Sequence, residues 1–277
     1  MAAAITLLVI SISVPRGVAQ GVEFPTLYDD FHGAQIDPSQ WAPVGSPGAF
    51  ATGYEMSIGQ DVSVGRLTMA VQAYGNVGSP APPPDDPQGV MTLRMPNARA
   101  AAVIGIQATA RIEDVNTTGC AAAQPGRSRA RLQAWLFRDG PTPPNPFDFT
   151  RVVAANNQIF SFANDPPGTL RVRFVAFRCL DPNCDTDTTL GSGAFQDITI
   201  GQDTTLSIEL DAANNRIIFT KDDEMPQFVT PVSTMQINTD LGPLHNKRLQ
   251  VQHFLETCPE RAQGFIAASF ENFRTKP

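Results

Sequence analysis

Charge is scarce in this chain, and so are histidine, tyrosine and tryptophan. Charged residues make up 17% of the 277, and the formal net charge is −7. The overall basic footprint of a nucleic-acid-binding domain is therefore missing. The three histidines, His32, His245 and His253, show no ligand grouping, and the four cysteines have no C-x-x-C spacing. A zinc site has no sequence framework here. No stretch carries a sustained apolar stripe at i, i+3, i+4 and i+7, which speaks against a helical bundle. Beyond the first twenty residues no segment is apolar and long enough to cross a bilayer. Two tryptophans and three tyrosines stand against 17 phenylalanines. Phenylalanine fills cores, whereas sugar platforms favour rings with a polar tip, so a lectin built on aromatic stacking is disfavoured.

Proline (24), glycine (21) and a hydrophobic fraction of 42% are what the chain does have. That mix suits many short strands joined by turns. The clearest strand is Arg127 to Arg138, RSRARLQAWLFR. Ala130, Leu132, Ala134 and Leu136 alternate with Arg129, Arg131, Gln133 and Trp135. Successive side chains of a strand point to opposite faces, so one face is dry and the other polar. The same rhythm marks strands at Arg66–Tyr74, Ala102–Val115, Thr169–Cys179 and Lys247–Glu256. Further strands are expected at Leu27–Phe31, Phe50–Ile58, Val90–Met95, Arg151–Phe162, Ala194–Ile200, Thr204–Asp211, Arg216–Thr220 and Gln263–Arg274. Two proline-rich stretches, Gly78–Gly89 and Asp139–Asp148, are surface loops, and Asn214-Asn215 is a hairpin turn. Around a dozen strands at regular spacing predict an all-β, two-sheet antiparallel sandwich or barrel.

Residues 1–19 read as a secretory signal. Ala2–Val14 is apolar, and Val18-Ala19 sets a small residue before a cut at Gln20, although no Lys or Arg precedes the run. Residues 20–277 are then one domain, secreted, periplasmic or at the cell surface. An even cysteine count fits export and implies disulfides. Four cysteines allow three connectivities. Cys179–Cys184 would close a small loop, and Cys120–Cys258 would then tie a turn to the segment before the last strand. Asn116-Thr117-Thr118 is a glycosylation sequon, of consequence only in a eukaryotic secretory route.

Two motifs resemble a known superfamily. Leu27–Trp41, LYDDFHGAQIDPSQW, is similar to the D-F-x-G-x-x-I-D-x-x-x-W entry of bacterial concanavalin A-like lectin/glucanase (laminin-G-like) domains. Phe265–Thr275, FIAASFENFRT, resembles their closing strand. Trp41, after the turn at Pro38-Ser39, is expected to plug the core rather than to serve as a ligand platform. The resemblance implies a jelly roll in which first and last strands pair and one sheet offers its open face as a groove. Many members bind glycans there and some bind calcium. The E-x-D-x-x-E strand of the sandwich glucanases has no match in this sequence, so that hydrolase is excluded.

The arginine-bearing faces are the leading site. If the strands share one sheet, Arg111, Arg129, Arg131, Arg171 and Arg173 share a surface with Gln133, Trp135, Gln250 and Gln252; Gln107 and Glu256 could join them. Guanidinium forks match carboxylate and sulfate geometry, and Trp can stack on a sugar ring. An anionic polysaccharide or other cell-surface glycan is the implied partner, bound without catalysis. A polysaccharide lyase or hydrolase is the alternative, and an adhesive or structural surface is the third. The competing reading of the face is a sheet stabilised by cross-strand pairs. Gln250-Val251-Gln252-His253 resembles the Q-x-H of some alginate lyases, but His253 has the apolar parity and the tyrosine-rich motif is missing. Asp181, Asn183, Asp185 and Asp187 alternate like half a calcium loop, without its Gly at position 6 or Glu at position 12; the competing reading is a polar turn pinned by a disulfide. No other cofactor is implied.

Overall fold

A computed structural model describes residues 23–47, 54–61, 63–74, 88–117, 127–254 and 263–277. The signal reading of residues 1–19, the proline-rich stretch 78–87 and the Cys120–Cys258 pairing lie outside the described residues.

The strands are β1 (Thr26–Asp29), β2 (Ala42–Pro47), β3 (Tyr54–Asp61), β4 (Arg66–Tyr74), β5 (Gln88–Arg94), β6 (Gly105–Thr117), β7 (Arg127–Asp139), β8 (Val152–Phe162) and β9 (Thr169–Cys179). They continue as β10 (Asp187–Ala194), β11 (Ile198–Thr199), β12 (Thr204–Asp211), β13 (Arg216–Lys221), β14 (Gln227–Val229), β15 (Ile237–Asn238), β16 (Asn246–Phe254) and β17 (Gln263–Lys276). A single helical turn, α1 (Asn97–Ala101), comes just before the predicted Ala102–Val115 strand, which begins at Gly105.

Two antiparallel sheets form a jelly-roll sandwich. The first runs β14-β13-β12-β6-β17-β4-β3, with β1 paired to β17. The second runs β10-β9-β8-β7-β16-β5-β2, with β11 on β9 and β15 on β7. The alternation of each strand explains the packing. Leu67, Met69, Ile106, Ala108, Leu206, Ile208, Ile266 and Phe270 point from the first sheet into one core. Leu93, Ala130, Leu132, Ala134, Val153, Ile159, Val172, Leu249 and Val251 meet them from the second. Each buried Leu, Ile, Val, Phe or Met contributes about 1.5–3 kcal/mol, which is why the register is strongly specified.

Trp41 is fully buried in the core, as its position in the sequence led us to expect. Its indole donates to Asp29 at 2.6 Å, and it packs edge-on to Phe273 of β17 at 4.9 Å. The predicted strand at Ala194–Ile200 is two pieces instead: β10 ends at Ala194 and β11 spans Ile198–Thr199. β10 shows no apolar rhythm because its glycines make room for neighbours. A Cβ at Gly193 would sit 2.4 Å from the Phe174 ring.

Two basic or titratable side chains enter the core from β16. Lys247 is 1% exposed, and its Nζ donates to the Trp135 carbonyl at 2.9 Å. Burial pushes its amine down to about 7. His253 is 0% exposed; its Nδ1 shares a 2.7 Å hydrogen bond with Ser128 Oγ. Burial pushes the imidazole down to about 4. Gly264 is what leaves room for that ring, since a Cβ there would lie 1.7 Å from His253 Nε2.

Candidate ligand-binding groove

The outer face of the second sheet carries the polar half of each alternating strand. Register aligns them in rungs. Arg131 on β7 sits between Gln250 on β16 and Gln158 on β8. Arg173 on β9 extends that rung beyond Gln158, and Thr92 on β5 extends it beyond Gln250. The neighbouring rung towards Trp135 reads Val175, Asn156, Gln133, Arg248 and Arg94. The rung on the other side reads Arg171, Phe160, Arg129 and Gln252.

Of these side chains, Arg129, Arg131, Gln133, Asn156, Gln158, Val175 and Arg248 line a groove of about 390 Å³, together with Trp135, Phe177 and Thr189. A second depression of about 480 Å³ continues from it, sharing Gln158 and Val175 and adding Phe160 and Arg173. One end is walled by two loops. Phe149 packs on Trp135 at 4.6 Å, and its amide donates to Pro182 O at 2.9 Å. The Cys179–Cys184 disulfide closes the loop that brings Asn183 and Cys184 to the groove.

The arginines are deep and short of counter-charge. Arg131 is 7% exposed. Its Nε donates to Gln250 Oε1 at 2.6 Å, and Gln250 Nε2 donates to Thr92 Oγ1 at 2.9 Å. Arg129 Nε likewise donates to Gln252 Oε1 at 2.7 Å. Gln250 and Gln252 therefore orient guanidinium planes. Among the described residues, the ion pairs of this protein engage other cations, and no carboxylate pairs with Arg94, Arg127, Arg129, Arg131, Arg173 or Arg248. Burial, and then repulsion from Arg127 and Arg248, lowers Arg129 to about 9. Burial, with Arg129 and Arg248 beside it, holds Arg131 well below the ordinary guanidinium value. Arg248 falls to about 10, from burial and then Arg94. All three guanidinium groups remain protonated at neutral pH. Such positive charge without a partner is unfavourable in a folded protein, and an anion would relieve it.

The neutral groups are also incompletely paired. Among the described residues, Gln133 Oε1, Asn156 Oδ1 and Gln158 Oε1 have no hydrogen-bond partner, nor do Trp135 Nε1, Arg94 Nε and Arg248 Nε. Gln133, Asn156 and Gln158 are 3%, 5% and 5% exposed. Buried polar atoms are nearly always hydrogen-bonded, so this grouping makes the groove the candidate site.

No family model matches the chain, and no curated protein matches it. Similar solved structures include a GlcNAcα1-4Gal-releasing endo-β-galactosidase from Clostridium perfringens, at 12% identity and a TM-score of 0.45, covering 87% of this chain and 60% of that one. An endo-acting O-glycanase of the human gut microbiota is similar at 13% identity and a TM-score of 0.46, covering 90% and 89%. A non-specific endo-β-1,3(4)-glucanase of family GH16 is similar at 12% identity and a TM-score of 0.42, covering 90% and 89%. The two sheets themselves define the fold, and the groove is read from its own residues.

The structure brings together Arg129, Arg131, Gln133, Trp135, Arg173, Gln250 and Gln252. Arg171 shares the face but is tied to Asp165 and stacks over Phe162 at 5.3 Å. Arg111 does not belong to the site. It lies on β6 in the other sheet, where its Nε meets Glu113 at 3.1 Å. Gln107 is on that strand as well. Alternation fixes the face of a strand but not its sheet, which is why Arg111 was misplaced. The calcium reading is also corrected. Asp181 accepts from the amides of Asn183, Asp185 and Thr186 and from the Thr186 hydroxyl, so its oxygens are spent on a turn. Among the described residues, no group of three or more His, Cys, Asp or Glu is placed to hold a metal ion. Asn183 and Asp187 line the groove instead, while Asp185 accepts from Asn183 Nδ2 at 3.3 Å. Missed from sequence were Arg94, Asn156, Gln158 and Arg248. Arg248 has the parity of Gln250 and was legible; Asn156 and Gln158 sit in a polar-faced strand whose rhythm is broken by buried Asn157.

Proposed function

We propose that this protein is a carbohydrate-binding module that holds an acidic polysaccharide in the groove of its second sheet. The observation that carries the reading is the cluster of buried Arg131 with half-buried Arg129 and Arg248 in one groove, without a carboxylate partner among the described residues and beside hydrogen-bonding groups that have none among them either. Trp135 supplies one ring face at the end of the groove. Binding without catalysis is favoured by the lining of the main groove, whose one described carboxylate is Asp187, with no His, Tyr or Glu. Paired-carboxylate glycoside hydrolysis needs two such groups across the bond. His253 points into the core, away from the groove. The Cys179–Cys184 bond supports work in an oxidising compartment, hence a secreted or surface location. Among the described residues no helix is long and apolar enough to cross a membrane. Residues 20–277 act together as one binding unit in this reading.

Calorimetric titration with a panel of acidic polysaccharides tests it. Binding should weaken as salt is raised, and Arg131→Ala should lower affinity about ten-fold or more, the loss of a charge-assisted hydrogen bond. A panel in which no acidic polymer binds sinks the proposal. Release of reducing or unsaturated ends during the titration would replace it with an enzymatic reading.

A further inference from the structure

The groove presents two chemical demands at once. Three guanidinium groups share one groove: Arg129 and Arg131 lie two residues apart on the same face of β7, and Arg248 projects from the adjacent strand β16 opposite Gln133. Gln250 and Gln252 hold the Nε atoms of Arg131 and Arg129, so what these arginines turn to a ligand is their terminal nitrogens. Such a fork matches two coplanar oxygens. Gln158 Oε1 on the rung of Arg131, and Gln133 Oε1 and Asn156 Oδ1 on the adjoining rung, are acceptors lacking donors among the described residues. An inorganic anion or a bare phosphodiester chain brings charge but no hydroxyl donors. A neutral sugar brings donors but no charge. A heavily sulfated chain brings charge by esterifying the hydroxyls that would donate. A uronic acid carries a planar carboxylate and free hydroxyls on the same ring.

We propose that the groove takes a polyuronate, with a sugar carboxylate among Arg129, Arg131 and Arg248 and ring hydroxyls donating to Gln133, Asn156 and Gln158. The assignment rests on the glycan-binding reading above and narrows it to one class of sugar. The second depression, entered past Gln158 and Val175, gives the polymer a continuation towards Arg173. That arginine has no carboxylate partner among the described residues and offers a place for a further uronate.

The test uses the full chain and three probes in calorimetry: polygalacturonate, the same polymer with its carboxylates reduced to alcohols, and dextran sulfate. Polygalacturonate should bind and its carboxyl-reduced form should not. Dextran sulfate should bind more weakly. Asn156→Ala and Gln158→Ala, checked for folding by circular dichroism, should each weaken polygalacturonate about five-fold, the worth of one hydrogen bond, and leave dextran sulfate unchanged. The comparison among wild-type titrations needs no variant to fold. Dextran sulfate binding as tightly as polygalacturonate, equal losses for both polymers in the variants, or retained binding of the carboxyl-reduced polymer would each overturn the uronate assignment while leaving a glycan groove. Failure of all three probes to bind removes the proposed function itself.

Discussion

Acidifying this protein should expose the cost of one buried imidazole. His253 is 0% exposed, holds Ser128 through Nδ1, and has no partner at Nε2 among the described residues. Protonating it in the folded state would place a cation in the core beside Gly264. Its value therefore drops from 6.5 to about 4, with burial as the cause. In the unfolded chain the ring titrates normally. Between those two values the unfolded state binds a proton that the folded state refuses, so stability falls as pH falls. The stabilisation is fully present above pH 6.5 and gone below about pH 4. At about 1.4 kcal/mol per pH unit, the loss is about 3 kcal/mol. The measurement is urea unfolding of wild type and His253→Gln at several pH values from 7.5 to 4. The variant should be the less stable at pH 7.5, and its deficit should shrink by about 3 kcal/mol at pH 4. His245 is also lowered by burial, with Lys247 second, but it is present in both proteins and cancels. Parallel loss of stability in the two proteins over that range would show that His253 is not the group responsible.

Other expectations follow from the same geometry. Lys247, at about 7 against 10.5 when unfolded, makes stability rise with pH between those values; Lys247→Met should flatten that rise in chemical-denaturation curves. Asp139 is fully buried and accepts from Ser233, Thr234, Met235 and Arg178, so Asp139→Ala should cost about 3–5 kcal/mol and lower the melting temperature sharply. Replacing both Cys179 and Cys184 by serine should loosen the loop bearing Asn183 and weaken glycan binding more than it lowers the melting temperature. Gln250→Ala should reduce affinity with Arg131 still present, because the guanidinium loses its orienting acceptor; unchanged affinity would mean that Arg131 needs no such support.

The two-residue rhythm made much of the architecture legible. In β7 every second residue from Arg127 to Trp135 faces the groove, and in β16 the same parity carries Arg248, Gln250 and Gln252. What rhythm cannot convey is which strands become neighbours. Arg111 obeys the same alternation as Arg131 yet serves a different sheet, because pairing depends on long-range register. Lys247 breaks the pattern from the other direction. It holds a core parity between Leu249 and the turn, and only its hydrogen bond to the Trp135 carbonyl explains a charged residue there. Asn157 does likewise, donating to the carbonyls of Ser207 and Thr220 across the core. The Asp181 segment failed as a metal reading for a local reason: a short carboxylate followed by free amides folds back on itself before any ion can use it.

The pairing of Thr26 with Thr275 has a practical meaning for how such a molecule could be mounted. The first and last described strands meet at a single seam, and that seam belongs to the sheet turned away from the groove. Attachment at Thr26 or Thr275 would therefore leave the groove-bearing face unobstructed.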